Sequence, residues 1–204
     1  MRNKVNNYMD SIEVVNHAIK NRRSIYTNMF SGEPVDDGII KQMLENGNWA
    51  PTHKHTEPWR FVVFKGKGLH KLANFQSELY KKVASEKGTF DQNKFEKLAN
   101  KPLACSHIIA IGMKREEKES LPEIEEVCAT ACAVQNMQLT ASAYGIGCYW
   151  STGGVTFYEE AKPFFGLGSK DKLLGFLFIG MPKSDKWPKG KRKPIDEKVR
   201  WVKD

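Results

Sequence analysis

PEIEEVCATACAVQNMQLTASAYGIGCYWSTGG, residues 122–154, carries the pattern that decides the fold. A proline opens it, a favourable residue for a first helical turn, and a long helix to about Tyr144 follows. Ala129, Ala131, Ala133, Met137, Leu139 and Ala141 allow neighbouring elements to approach closely, which marks a central core helix. Gly145-Ile146-Gly147 ends that helix. Cys148-Tyr149-Trp150 then reads as a strand, and Ser151-Thr152-Gly153-Gly154 as a turn of four small residues.

Upstream, Ile108-Ile109-Ala110-Ile111 is a short unbroken apolar run, the mark of a strand covered on both faces. Arg60-Phe61-Val62-Val63-Phe64 is a strand by its β-branched and aromatic content, and Leu173 to Ile179 supplies the last core strand. Ile12, Val14, Val15, Ala18 and Ile19 stand at helical spacing up to Asn21, with Ser11 as the expected N-cap. Asp36 and Asp37 open a second helix, which the turn-forming stretch Asn46-Gly47-Asn48 should close. Leu69 to Ala84 and Phe90 to Ala99 are helical but richly charged, a mobile middle by this pattern. Strands interleaved with helices, without repeats or linker-like composition, predict one mixed α/β domain over residues 1–204.

Composition excludes several classes. The 204 residues are 40% hydrophobic and 27% charged, which suits a globular chain rather than a disordered or collagenous one. The longest apolar stretch, Leu173 to Met181, falls far short of the roughly 20 residues that cross a bilayer. The first ten residues, MRNKVNNYMD, lack the apolar run of a secretory leader, so a cytoplasmic location is expected. Four cysteines are too sparse for a disulfide framework. Cys128 and Cys132 share a helix face, but no further Cys or His completes a zinc set. Net charge is +8, and Lys183 to Asp204 holds nine basic residues against four acidic ones. Such a tail suits an anionic partner, whether a phosphate-bearing cofactor or a nucleic-acid backbone.

Three polar clusters could carry chemistry. Arg22-Arg23-Ser24 follows a helix with two planar guanidinium groups and a hydroxyl, a set suited to phosphate and equally to a helix C-terminus. Ala50-Pro51-Thr52-His53-Lys54-His55-Thr56-Glu57-Pro58-Trp59 packs hydrogen-bonding groups between prolines, although two alternating His residues give no metal set. Trp150-Ser151-Thr152-Gly153-Gly154 sets a ring, two hydroxyls and an open backbone at a strand end, where ligands commonly bind. Gly145-Ile146-Gly147 lacks the third glycine of a dinucleotide fingerprint. Gly166-Leu167-Gly168-Ser169-Lys170 is not a P-loop, and no Gly-x-Ser-x-Gly elbow occurs.

Taken in order, these pieces resemble the flavin-dependent nitroreductases over nearly the whole chain. The resemblance runs through Asn21-Arg22-Arg23-Ser24, Glu33-Pro34-Val35, Ala50-Pro51 to Pro58-Trp59-Arg60-Phe61, the Ala-rich helix with Gly145-Ile146-Gly147, Trp150-Ser151-Thr152-Gly153, Gly175 to Gly180, and Lys191-Arg192-Lys193-Pro194. It implies an α+β fold with a central mixed, mainly antiparallel sheet flanked by helices. It also implies an FMN-binding homodimer whose C-terminal segment, residues 183–204, wraps the partner. By that resemblance Arg22 and Ser24 hold the flavin phosphate and ribityl chain, with Arg23 adjacent, and Arg192 closes on the phosphate. Thr52 and His53 reach the flavin of the neighbouring subunit, while Trp150, Ser151 and Thr152 line the flavin site. Tyr26 stands where the family usually has a basic residue, and His55 and Glu57 replace its common Asn and Gln. The activity implied is transfer of hydride from NADH or NADPH through FMN to a small electron-poor acceptor such as a nitroaromatic or quinone. That chemistry requires no acid–base side chain, and neither a catalytic residue nor a metal ligand is assigned. Two competing readings are a nucleic-acid-binding domain built on the basic tail with Trp187 and Trp201, and an FMN-binding protein without turnover.

Overall fold

The computed structural model describes residues 2–203, with side chains from Asp10 onward. Its centre is β2 (His107–Met113), every residue of which is buried. Burial on both faces explains the unbroken apolar run. Ile108 and Ala110 point into a cluster with Phe64, Leu72, Phe176 and Phe178. Ile109 and Ile111 point the other way, onto Ile40, Met43, Val134 and Met137. β1 (Trp59–Lys65) pairs antiparallel with one edge of β2, Phe61 opposite Ile111. β4 (Lys172–Gly180) pairs antiparallel with the other, Ile109 opposite Leu177. β3 (Gly147–Ser151) completes the order β1-β2-β4-β3, again antiparallel. A parallel bridge from Ser24 to Cys148 lies on the outer edge of β3.

Helices cover the two faces unequally. α2 (Asp37–Asn48) and α5 (Glu123–Ala143) pack on the Ile109 face, while α3 (Lys67–Glu86) and α4 (Gln92–Asn100) cross the opposite one. Asp36 caps α2 by accepting from the Gly38 N–H at 2.7 Å. Three glutamates in the first turn of α5 complement its dipole. Arg115 joins two of the turns around that end: its guanidinium pairs with buried Glu126, whose other oxygen accepts from the Glu116 N–H at 3.0 Å.

Four local readings change. α1 spans Arg2–Asn21, so Ser11 lies inside it rather than capping it, because nothing in the polar stretch before Ser11 breaks a helix. Pro122 stands at the N-cap of α5 instead of in its first turn. Gly47 continues α2 to Asn48, where the missing side chain lets α2 approach α5. The charged middle is anchored: Leu69, Leu72, Tyr80 and Val83 of α3 are buried, with the charges on the outer face.

Candidate functional site

The chain leaves α1 at Asn21 and turns along the outer edge of β3, with the Ile25 N–H donating to the Cys148 carbonyl at 3.1 Å. This places Arg22 and Ser24 beside that strand. Arg22 is half-buried, and its guanidinium has no hydrogen-bonding or ion-pair partner among the described residues. Burial pushes the Cys148 thiol up to about 12, with the Arg22 charge opposing the rise. Arg23 behaves differently. Its Nη1 donates to the carbonyls of Lys20 at 2.7 Å and Arg22 at 2.8 Å, and its Nε to that of Pro188 at 2.9 Å. A Cβ on Gly190 would fall 2.4 Å from Arg23 Nη2, so the tail lies directly against the guanidinium. Arg23 thus closes the end of α1 and pins the start of the basic tail, beside a cleft of about 830 Å³ that Trp187 also lines.

Ser151 ends β3, three residues beyond Cys148, or roughly 10 Å along the strand. Trp150 is oriented by its Nε1–H, which donates to the Leu174 carbonyl at 2.8 Å. Gly175, close against the Trp150 ring nitrogen, has φ +115°, and a Cβ there would lie 2.3 Å from the Ser151 carbonyl oxygen. Glycine is required at that crossing. Thr152 is exposed, and Thr156 Oγ1 donates to the Gly153 carbonyl at 2.8 Å, closing the turn.

The loop between Pro51 and Pro58 stands elsewhere. His53 Nδ1 lies 2.6 Å from Glu125 Oε2, at the N-terminal turn of α5. Thr52 Oγ1 accepts from the Glu57 N–H at 3.2 Å and lies 3.2 Å from Thr56 Oγ1. Lys54, His55 and Glu57 all have positive φ, between 42° and 52°, a conformation L side chains resist. From Glu125 to Ser142, which lines the cleft beside Arg23, α5 runs roughly 26 Å.

One chain therefore brings Arg22, Ser24, Trp150, Ser151 and Thr152 to a single sheet edge. It holds Thr52 and His53 at the far end of α5. Arg192 is exposed in the tail, where its Nη1 donates to the Lys191 carbonyl at 2.8 Å. Among the described residues, no group of three or more His, Cys, Asp or Glu side chains could hold a metal ion. None of their helices is long and apolar enough to cross a membrane. One neighbour of the Ser151 turn carried no sequence pattern at all: Gln76, buried in α3 with an unpartnered amide nitrogen.

A short antiparallel sheet between an α2–α5 layer and an α3–α4 layer, with a polar edge beyond α1, defines a nitroreductase-like protein. The sequence model described as the nitroreductase family matches residues 19–181, and the chain belongs to that family. It is 33% identical over 175 residues to the Escherichia coli protein named "Putative NAD(P)H nitroreductase YdjA", covering 85% of this chain and 89% of that one. The crystal structure of a nitroreductase-like family protein from Bacillus cereus superposes with a TM-score of 0.77 at 28% identity, covering 93% and 96% of the two chains. A Desulfovibrio desulfuricans protein solved in complex with FMN shares the fold, with a TM-score of 0.69 at 22% identity and the same coverage.

Proposed function

We propose that the chain is an FMN-dependent NAD(P)H oxidoreductase working as a homodimer, and that it reduces nitroaromatics, quinones or similar electron-poor small molecules. The observation that carries this reading is the unspent donor set at the edge of β3. A half-buried guanidinium with no counter-charge among the described residues lies beside an exposed hydroxyl in a family whose solved members include an FMN complex. A phosphate supplies the missing acceptors. The donor chemistry thus fits FMN: Arg22 and Ser24 hold its phosphate and ribityl chain, and Trp150, Ser151 and Thr152 line its ring.

Arg23 acts from beside the phosphate by fixing the tail at Pro188, which directs Arg192 and its neighbouring lysines toward the same anion. Thr52 and His53, held some 26 Å along α5 from the α1 end, serve the flavin of the other subunit. The strained backbone of their loop is consistent with a segment positioned for a ligand. When bound, FMN supplies two-stage hydride chemistry, accepting from NADH or NADPH and delivering to the acceptor. The balance for a nitro group is two electrons and two protons, supplied as one hydride and one solvent proton, with nitroso product and water released. The protein's part is to bind, orient and admit, and no acid–base side chain is assigned. This reading treats residues 1–204 as one unit with a tail that wraps its partner, in the cytoplasm.

The test is the visible spectrum of the purified protein, with FMN reconstitution. The visible absorbance of an oxidised flavin, bleached by NADPH without oxygen, is expected. Absence of flavin together with failure to take up FMN would reject the reading. Bound flavin that NADPH leaves unbleached would instead indicate FMN binding without turnover.

A further inference from the structure

On the sheet face opposite α5, the turn after β3 forms one wall of a cavity of about 310 Å³. Phe176 and Phe178 supply an aromatic wall, and Ser151 and Gly153 line the edge formed by the turn. The remaining wall is cationic. Lys94 and Lys97 of α4 and Lys101 at its C-cap, spaced i, i+3, i+7, all line the space, and among the described residues no Asp or Glu does. None of the three forms an ion pair among the described residues. Lys94 Nζ lies 4.6 Å from the Tyr80 ring centre, and Lys101 Nζ 4.4 Å from that of Phe178, so their neighbours are aromatic faces rather than counter-charges. Lys101 is partly buried, and this burial, followed by the charge of Lys97, holds its pKa below the ordinary lysine value.

Gln76 adds an independent observation. It is 3% exposed, it lines the same cavity, and its Nε2 has no hydrogen-bond partner among the described residues. Protein interiors ordinarily satisfy such donors. A buried amide donor, three ammonium groups without an ion pair among the described residues and two flat rings are complementary to a planar ring bearing an anionic oxygen group. The cavity volume is at the lower end of the range for small-molecule sites, too small for a dinucleotide.

We propose that this cavity binds small aromatic carboxylic acids through Gln76, Lys97 and Lys101, and that it selects carboxylate-bearing electron acceptors. The second half rests on the flavin reading above; the anion site itself does not.

Two measurements test it. Calorimetric titration of the full-length protein with benzoate and with benzyl alcohol, the neutral analogue, should show benzoate binding at least about tenfold tighter, with Lys97→Gln and Lys101→Met each removing most of that difference. On the flavin-loaded enzyme, the ratio of kcat/KM for 4-nitrobenzoate to that for 4-nitrobenzyl alcohol should fall about tenfold in Lys97→Gln. Equal affinity for benzoate and benzyl alcohol in the unsubstituted protein overturns the proposal, whether or not the variants fold. So does a benzoate affinity that both lysine substitutions leave unchanged, or binding of inorganic phosphate without benzoate. A protein that holds no flavin but binds benzoate through these lysines would retain the site and lose only its link to an acceptor.

Discussion

Arg22 and Arg23 are adjacent, chemically identical and differently employed. Arg23 donates to three backbone carbonyls and is structural in its local effect, whereas the Arg22 guanidinium has no hydrogen-bonding or ion-pair partner among the described residues. Removing Arg22 should therefore cost the cofactor more than the fold. Arg22→Ala is expected to weaken FMN binding by about tenfold to a hundredfold, the loss of a charge-assisted bond worth roughly 1.5–3 kcal/mol. Quenching of FMN fluorescence on titration measures it, and an unchanged dissociation constant would take Arg22 out of the site. The Arg-Arg-Ser cluster was legible because its residue types are unusual together. The division of labour between the two arginines was not, since it depends on where Pro188 and Gly190 return from far along the chain. Gln76 and the three lysines were illegible for a related reason: polar residues on a charged amphipathic helix look alike until the sheet decides which of them it covers.

At the scale of elements, α2 and α5 meet where Gly47 leaves room. A Cβ on Gly47 would stand 3.0 Å from Met137 Cγ and 3.3 Å from the Ala133 carbonyl. Gly47→Val should accordingly lower stability by about 1–3 kcal/mol through overpacking, read as a reduced urea midpoint with an unchanged m-value. The start of β2 is tied to α2 and β1 by a second device. Buried His107 donates from Nε2 to Asp37 at 3.1 Å and accepts at Nδ1 from Ser106 Oγ at 3.0 Å, while Lys65 pairs with the same aspartate. Burial, outweighing the Asp37 carboxylate, holds the His107 pKa below the ordinary 6.5. The unfolded chain then takes up a proton near pH 6.5 that the folded chain refuses, so stability falls as pH drops below that value. Hydrogen bonds from Lys65 and then His107 hold Asp37 below 3.8, and its contribution, present above 3.8, is lost only as pH falls through the folded value. The two effects have the same sign in separate windows. Unfolding free energies from urea titrations between pH 7.5 and 5 should decline by up to about 1.4 kcal/mol per pH unit for the one proton, and His107→Gln should flatten that decline.

For the whole molecule, the uncovered apolar surface is informative. Ile12, Val14, Val15 and Ile19 of α1 are each more than half exposed, as is Ile124 of α5, and Cys128 and Cys132 continue the line along α5. The Ala-rich segment read as a core helix is thus covered on one side only. A second copy is the proposed cover, and under the same proposal it would bring Thr52 and His53 to the flavin held by Arg22. Sedimentation equilibrium should return twice the chain mass of 23.2 kDa. Val15→Glu combined with Ile19→Glu should shift the protein to monomer and lower FMN affinity at least about tenfold, because charges on an apolar interface oppose association. A monomeric variant with full FMN affinity would show that the partner's loop is not needed.

Local chemistry and periodicity determined the strands, the helix after Asp36 and the turn at Ser151, whereas the cofactor class was implied only by the resemblance of the ordered clusters to the flavin-dependent nitroreductases. Each of these elements depends on residues close together in the chain, whose propensities and alternation are written where they act. Tertiary structure alone decided that Gly47 is a contact rather than a turn and that Arg23 belongs to the tail. It also separated the His53 loop from Arg22 and left Gln76 facing a cavity ringed by lysines. Those outcomes come from packing between segments far apart in sequence, where a close approach or an unmade hydrogen bond exists only once both surfaces are in place.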